Sequence, residues 1–328
     1  MFSAVFYGSM TRKEHISAFV EELWIWFDGH KRELPWRDIS IPDDTERAYR
    51  ILVSEIMLQQ TQVSRVIGAY RSFLEKFPSL AALAEASNAD ILLAWRGMGY
   101  NSRALRLRDA AQIIQREHKG IFPSDMDVLL TIKGVGHYTA AAVRNFAFHI
   151  PTPCIDTNIR RIIHRCFVGP ERRDGSWRKN DAYLLTVADA LLQEALSYDG
   201  RTSADWHAAL MDFGSLVCTK TNPKWDSCPL TKKGLCKAAY NVHLQKGRSV
   251  KKEPGRCIGS TFVPNRIFRG KIVEELRDAT EPLSREEIGS RICIDWSSAH
   301  HTQWLEDILK KLESDSLLVK NGDAYTLS

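Results

Sequence analysis

The apolar residues between Glu14 and Tyr240 follow one repeating pattern, which limits the possible folds more than any other feature of the chain. They recur three or four residues apart, and glycines and prolines divide them into short blocks. This spacing places the apolar side chains on one face of a helix, whereas a strand would alternate apolar and polar residues. We therefore predict a mainly α-helical domain over residues 14–240.

The segment after Tyr240 has a different composition. The stretch LQKGRSVKKEPGR (244–256) is rich in basic residues and poor in apolar ones, so a basic linker is predicted over 241–260. Three helices and a β-hairpin with an Asn-Gly turn are predicted next, at 269–279, 284–292, 301–313 and 317–327. This order predicts a small winged-helix-like α+β domain over 261–328.

Net charge and cysteine placement narrow the class of protein. The charge of +5 over 328 residues is compatible with a polyanionic partner but does not require one. The sequence has no apolar run of membrane-spanning length and no secretion-signal pattern, so we expect a cytoplasmic, nucleoid-associated protein without a membrane partner. Three of the seven cysteines lie within 218–236, which favours a metal or cluster site over a disulfide framework.

Glu55 is the one ionisable residue in the apolar stretch ILVSEIMLQQTQVS (51–64). A carboxyl group in such a helix loses hydration, which favours its protonated form near neutral pH. Two interpretations remain open at this point. Glu55 is either a general acid or a structural residue that pairs with an arginine or caps a turn.

A Gly-Val-Gly turn, made by Gly134, Val135 and Gly136, separates two helical patterns. The second helix would begin at this turn, where backbone N–H groups and the helix dipole favour an anion such as a phosphate. The same turn also occurs for purely architectural reasons, so DNA contact is one of two interpretations.

Asp156 precedes the helical pattern TNIRRIIHR (157–165), which carries three arginines. Aspartate is a favoured N-cap residue, and the helix dipole stabilises its ionised form. A protonated Glu55 and an ionised Asp156 would supply the acid and the anion that hydrolysis of an N-glycosidic bond requires.

In this order, together with LPWR (34–37), GMGYNSRA (97–104) and ALMDFGSLVC (209–218), these motifs resemble the helix-hairpin-helix glycosylase superfamily that includes endonuclease III. The resemblance covers about residues 20–240. It implies a mainly α fold with two helical lobes and the activity of a DNA glycosylase in base excision repair.

Two positions indicate which branch of this superfamily the chain resembles. The lyase branch has a lysine two residues after the second glycine of the hairpin, and this chain has Tyr138. A phenol cannot form a Schiff base, so the resemblance implies a monofunctional glycosylase. The run Gln59, Gln60 and Thr61 resembles the adenine-removing branch.

The resemblance also implies roles for individual residues. Glu55 matches the acid that protonates the adenine, and Asp156 matches the carboxylate that stabilises the sugar cation. Tyr138 and Asn158 match residues that support these carboxyl groups. Gln60 and Tyr100 match side chains that enter the base stack when the target base leaves it. The full set of implied DNA-binding residues is Gln59, Gln60, Thr61, Tyr100, Arg37, Gly134, Val135 and Gly136.

The cysteine-rich loop departs from the pattern of this superfamily. Cys218, Cys228 and Cys236 match three ligands of its [4Fe–4S] cluster, but Trp225 stands where the pattern has the remaining cysteine. Three thiolates do not complete the usual set of four. An incomplete cluster, a fourth ligand from Cys257, a zinc site with His243, and a loop without metal all remain open.

The last expectations concern the role of the C-terminal region and the identity of the substrate. FVPNRIFRGKIVEELRDATEPLSREEI (262–288) resembles the tail of short adenine glycosylases, in place of the hydrolase-like β domain of longer ones. DNA contact through Arg266, Arg269 and Lys271 and a packing role are both open for this region. We expect a monomer that binds double-stranded DNA and removes adenine opposite 8-oxoguanine or guanine. The alternatives are a glycosylase for T or U opposite G, and a DNA-binding protein without activity.

Overall fold

The computed structural model describes residues 10–37, 40–241 and 253–328, and its contacts divide the chain into two compact units. The first unit takes in residues 1–51, 124–131 and 135–248 as far as they are described. The second takes in 52–123, 132–134 and 249–328, likewise as far as described. The chain therefore passes between the units several times.

The described residues of the first unit form helices and loops and contain no strand. Its helices are α1 (Arg12–Asp28), the first half of α2 (Asp44–Leu58), α7 (Met126–Thr131), α8 (His137–Phe146), α9 (Thr157–Ile163), α10 (Asp181–Leu196), α11 (Ser203–Leu216) and α12 (Pro229–Lys232). Thr11 and Glu14 form a capping box that begins α1, and the buried face of that helix includes Phe19, Leu23 and Trp24. These side chains share one core with residues of α9, α10 and α11, so the predicted helical periodicity is confirmed as a packing pattern.

The second unit combines helices with short strands. It contains the second half of α2 together with α3 (Val63–Lys76), α4 (Leu80–Glu85), α5 (Asn88–Ala94), α6 (Ser102–Glu117), α13 (Asn265–Asp278), α14 (Arg285–Ile292) and α15 (Ser298–Ser314). Its strands are β1 (Gly255–Ile258), β2 (Thr261–Pro264), β3 (Leu283–Ser284), β4 (Leu318–Asn321) and β5 (Ala324–Leu327). β4 and β5 follow the three helices, and they form a sheet of order β3-β5-β4 with β3, which lies between α13 and α14. This gives the predicted small α+β region, and the Asn-Gly turn joins β4 to β5.

Two features of this unit differ from the sequence prediction. Part of the predicted linker forms β1, which pairs with β2 in the register Gly255↔Pro264. Arg256 anchors this strand through an ion pair with Asp295 and a position 5.0 Å from the Trp304 ring. Residues 261–328 were predicted as a separate domain, whereas Leu92 and Leu105 of the helical segment lie in the same core cluster as this region. The apolar side chains of α5 and α6 extend that core, so the unit boundary does not follow the chain order.

Candidate active site

The hairpin between α7 and α8 has the predicted local geometry. Gly134 has φ +95°, a conformation that favours glycine, and a Cβ atom there would lie 3.5 Å from the Cβ of Arg106 in ordinary contact. Backbone conformation, rather than space, therefore explains the glycine. Val135 is buried, and no side chain of the described residues caps α8 at Gly136. The first N–H groups of α8 thus have no side-chain cap, as an anion-binding helix N-terminus requires.

Asp156 is the N-cap of α9, as predicted. One carboxylate oxygen accepts from the backbone N–H of Asn158 at 2.8 Å and of Ile159 at 2.6 Å, and the other accepts from the Asn158 side chain at 2.9 Å. Burial raises the pKa of Asp156, while these hydrogen bonds and Arg161 oppose the shift. The sequence predicted only that the helix dipole stabilises the ionised form of Asp156. In the structure, desolvation outweighs the stabilising contacts and raises the pKa of Asp156.

Arg161 links Asn158, which contacts Asp156, to the backbone at Gly214 and Cys218. Its guanidinium donates to the Asn158 side-chain oxygen at 2.7 Å and to the carbonyls of Gly214 at 2.7 Å and Cys218 at 2.6 Å. A Cβ atom on Gly214 would lie 2.7 Å from the Asn158 Cβ, which is closer than real Cβ contacts. The absence of a side chain at Gly214 therefore allows Asn158 to reach Asp156.

Tyr138 and Glu55 are placed in different units. Tyr138 is half-buried on α8 in the first unit, and its hydroxyl lies 3.9 Å from the Met211 sulfur. Glu55 is 7% exposed on α2, in the part of that helix that belongs to the second unit. Among the predicted catalytic residues, the first unit therefore holds Asp156, Asn158 and Tyr138.

The predicted base-stack residues lie on two loops of the second unit, here called the Gln60 loop (58–61) and the Tyr100 loop (97–101). Gln60 has φ 58° and Tyr100 has φ 46°, which is a strained region for residues with a side chain. Gln60 is exposed, and Tyr100 is 57% exposed. Each loop thus presents one large exposed side chain from a constrained backbone.

Arg103 joins these loops, and sequence analysis missed it. One guanidinium nitrogen donates to the carbonyls of Ile56, Met57 and Gln59, and another donates to the Thr61 hydroxyl and the carbonyls of Met98 and Gly99. The guanidinium also lies 5.5 Å from the Trp95 ring and 5.6 Å from the Tyr100 ring. Burial lowers the pKa of Arg103 to about 10, so the side chain stays charged at neutral pH.

A groove of about 970 Å³ borders both loops within the second unit. Its lining includes the three basic residues of α13 that were considered for DNA contact. Each has a partner in the described structure: Arg266 pairs with Glu253, Arg269 with Asp315, and the Lys271 ammonium with the Ile292 carbonyl. The Arg266–Glu253 pair is exposed, and ion pairs of this kind are weak, so it does not prevent contact of Arg266 with a phosphate.

Arg37 makes structural contacts that the sequence did not predict. Its guanidinium donates two hydrogen bonds to the buried Asp212 carboxylate, at 2.7 and 2.9 Å, and a third to the Arg32 carbonyl. Arg32 also pairs with Asp212, and together the two arginines hold the pKa of Asp212 low against desolvation. A buried carboxylate left without these partners is costly, so Arg37 has a structural role at Asp212, and its DNA contact stays a prediction.

The three predicted cysteine ligands meet in the first unit. Cys218, Cys228 and Cys236 are buried around one small cavity, and Trp225 also lines it. Within the described ranges, no three His, Cys, Asp or Glu side chains converge as a single metal ion requires. Cys257 is exposed on β1, and His243 lies outside the described residues.

Comparison with known proteins places this architecture in a class. Residues 53–180 match the model of the HhH-GPD superfamily of base excision DNA repair proteins. A solved thermostable thymine-DNA glycosylase has a TM-score of 0.58 and 27% identity, covering 69% of this chain and 97% of its own. An endonuclease III–DNA covalent intermediate has a TM-score of 0.54 at 21% identity, covering 70% and 98%, and shows the fold. The chain therefore has the helix-hairpin-helix glycosylase fold.

Curated relatives define the family more closely. The adenine DNA glycosylase of Mycolicibacterium smegmatis is 35% identical over 299 residues, covering 91% of this chain and 90% of the relative. That of Mycobacterium tuberculosis is 34% identical over 319 residues, covering 96% and 94%. The chain belongs to the adenine DNA glycosylase family, and it is accordingly a DNA-binding N-glycosylase, a hydrolase of base excision repair. The resemblance inferred from the motifs is confirmed. Among the described residues, none of the helices has the length and apolar content needed to cross a membrane.

Proposed function

We propose that this enzyme removes adenine mispaired with 8-oxoguanine or guanine and leaves an abasic site. The observation that carries the proposal is the Asp156 carboxylate, which two backbone N–H groups and the Asn158 amide hold in place. A fixed carboxylate suits the stabilisation of an oxocarbenium-like sugar, because its donors are already arranged before the charge develops. The names of the relatives favour adenine as the leaving base.

Glu55 is the proposed general acid for the departing adenine. Protonation of the base is needed because neutral adenine leaves more readily than its anion, and a positioned acid contributes about 10²–10⁴-fold to a rate. The apolar surroundings of Glu55 on α2 support this role, since Val53, Ile56 and Met57 are all buried. Water would then complete the hydrolysis at the sugar carbon.

Tyr138 supports base removal without strand cleavage. A lyase step needs an amine that forms a Schiff base with the sugar, and the phenol of Tyr138 cannot supply it. Gln60 and Tyr100 are proposed to fill the gap in the duplex after adenine is extruded, because both side chains are exposed on loops that Arg103 fixes. The hairpin at Gly134, Val135 and Gly136 would then bind a backbone phosphate.

The proposal is tested with end-labelled duplexes carrying A opposite 8-oxoguanine or G. We expect strand breaks only after alkali treatment and no covalent product with borohydride. Glu55→Gln and Asp156→Asn should each lower the single-turnover rate by at least about 10²-fold, while binding to a duplex with an uncleavable adenosine analogue is retained. Asp181→Asn is a matched control, because Asp181 is a mostly exposed helix-start carboxylate paired with Arg160.

A mismatch panel separates the alternatives. Excision of T or U opposite G, without excision of A, would indicate the thymine or uracil activity that the named thymine-DNA glycosylase suggests. Binding to every duplex without turnover by the wild-type protein would indicate a DNA-binding protein without activity. Either result contradicts the proposal.

A further inference from the structure

A fourth buried cysteine lies at the cysteine-rich loop. Cys166 lines the same small cavity as Cys218, Cys228 and Cys236, and each of the four thiols is at most 7% exposed. All four are free cysteines. Sequence spacing did not indicate Cys166, because it lies 52 residues before Cys218 and outside the loop.

The backbone after α9 places Cys166 at this cavity. Residues His164–Val168 form a π-helical turn, which widens the helix by one residue. Three contacts attach this turn to the chain around Cys236: the Ala238 N–H donates to the Arg165 carbonyl at 3.0 Å, the Cys236 thiol donates to the same carbonyl at 3.7 Å, and the Lys237 ammonium donates to the Phe167 carbonyl at 3.0 Å. Cys166 is therefore held beside an expected ligand.

The number of cysteines at this cavity matches the ligand requirement of a cluster. Zinc needs its ligands about 2.3 Å from one point, and the described residues offer no such group. A [4Fe–4S] cluster instead takes one thiolate at each of its four irons. Four cysteines spread around one cavity match the second requirement in ligand type and in number.

The surroundings of the cavity also suit an anionic cluster. The Arg165 guanidinium lies 3.8 Å from the Cys218 sulfur, and Arg161 donates to the Cys218 carbonyl. Positive charge and hydrogen bonds close to the thiolates offset the negative charge of a cluster with four of them. The apolar side chains of Phe213, Val217 and Leu230 line the remaining wall.

Trp225 explains why a replacement ligand is needed. Its indole stands where the superfamily pattern has a cysteine, lies 5.9 Å from the Arg165 guanidinium, and offers no lone pair to iron. The cavity measures about 10 Å³, which is room for one water molecule. A cluster would therefore require the four cysteines around the cavity to move apart.

We propose that Cys166 supplies the fourth thiolate of a [4Fe–4S] cluster whose other ligands are Cys218, Cys228 and Cys236. This assignment is independent of which mispair the enzyme repairs.

The test is reconstitution of the full chain under anaerobic conditions with ferrous iron, sulfide and a thiol reductant. Iron and acid-labile sulfide per chain, visible absorption and electron paramagnetic resonance are measured after gel filtration. The wild-type protein should bind about four irons and four sulfides. Cys166→Ser should lose at least one iron per chain, either as a three-iron cluster with its paramagnetic signal or as complete loss. Cys154→Ser, a buried cysteine of the same unit that does not line this cavity, should match the wild type.

A second variant separates ligand loss from misfolding. Trp225→Cys, added to Cys166→Ser, restores a thiol at the position of the superfamily pattern and should return the iron content to about four. Full iron in Cys166→Ser alone would overturn the proposal. Failure of the wild type to bind iron would also overturn it, because all four proposed ligands are then present without a cluster.

Discussion

Arg103 in the second unit and Arg161 in the first are both buried, and both donate most of their hydrogen bonds to backbone carbonyls. They differ in what those bonds position. Arg161 reaches Asp156 through the Asn158 amide and so fixes the carboxylate that is proposed to react. Arg103 contacts both the Gln60 loop and the Tyr100 loop and so fixes backbone from which exposed side chains project. Arg161 therefore supports the proposed chemistry at Asp156, and Arg103 supports the proposed extrusion of the base.

The largest expected effect follows from Arg103→Met. The substitution leaves several buried carbonyls without a donor, and each unsatisfied group costs about 1–3 kcal/mol. We expect the free energy of unfolding in urea to fall by at least about 3 kcal/mol, and base extrusion, followed by 2-aminopurine fluorescence in the duplex, to be lost.

Arg161→Met provides the matched comparison for this result. It should slow excision while extrusion persists, since its contacts lie at Asp156 and not at the two loops. Equal loss of extrusion in both variants would contradict the separation of roles.

The next largest expected effect is a loss of stability at acid pH that arises from a residue of the first unit. His207 is fully buried on α11 in the first unit, and desolvation lowers its pKa to about 4. Between pH 6.5 and 4 the unfolded chain binds a proton that the folded chain does not, so stability falls as pH falls through this window. The loss approaches about 3 kcal/mol by pH 4.

Urea unfolding at several pH values measures this loss. His207→Gln should flatten the dependence in that window, because the amide does not titrate and can still donate to the Ser203 carbonyl. An unchanged pH dependence in the variant would assign the effect to other groups.

Gly214→Ala tests the carboxylate region alone. The new methyl group would meet the Asn158 Cβ at 2.7 Å, and overpacking of this kind costs about 1–3 kcal/mol. Asn158 must then move from Asp156, so the single-turnover excision rate should fall while extrusion stays normal. Gly68→Ala is the control, since a Cβ there meets no atom within 4 Å. Wild-type excision by Gly214→Ala would show that the Asn158 contact is dispensable.

The two regions also differ in how far the sequence could predict them. Asp156 was correctly placed as an N-cap, because capping depends on residues two and three positions away. Arg103 was not recognised, since its partner Gln59 lies 44 residues earlier and nothing local distinguishes a buried arginine from an exposed one. The hydrogen bonds of Arg37 to Asp212 were not predicted for the same reason, because Asp212 is 175 residues away. Local hydrogen bonding and the burial of Glu55 in an apolar helix could be predicted from the sequence, and the distant partners of the buried arginines could not.

The smallest effect concerns the backbone of the Gln60 loop. Gln60 has φ 58°, which glycine adopts without the strain that other residues incur. Gln60→Gly should therefore change the free energy of unfolding by no more than about 1 kcal/mol, and in the stabilising direction relative to Gln60→Ala. Both variants lack the side-chain amide of Gln60, so both should extrude adenine more slowly than the wild type. Arg103 binds the Gln59 carbonyl in either variant, so the loop keeps its place and the slower extrusion reports on the missing side chain. Normal extrusion in both would remove Gln60 from the proposed set and leave Tyr100 to fill the gap alone.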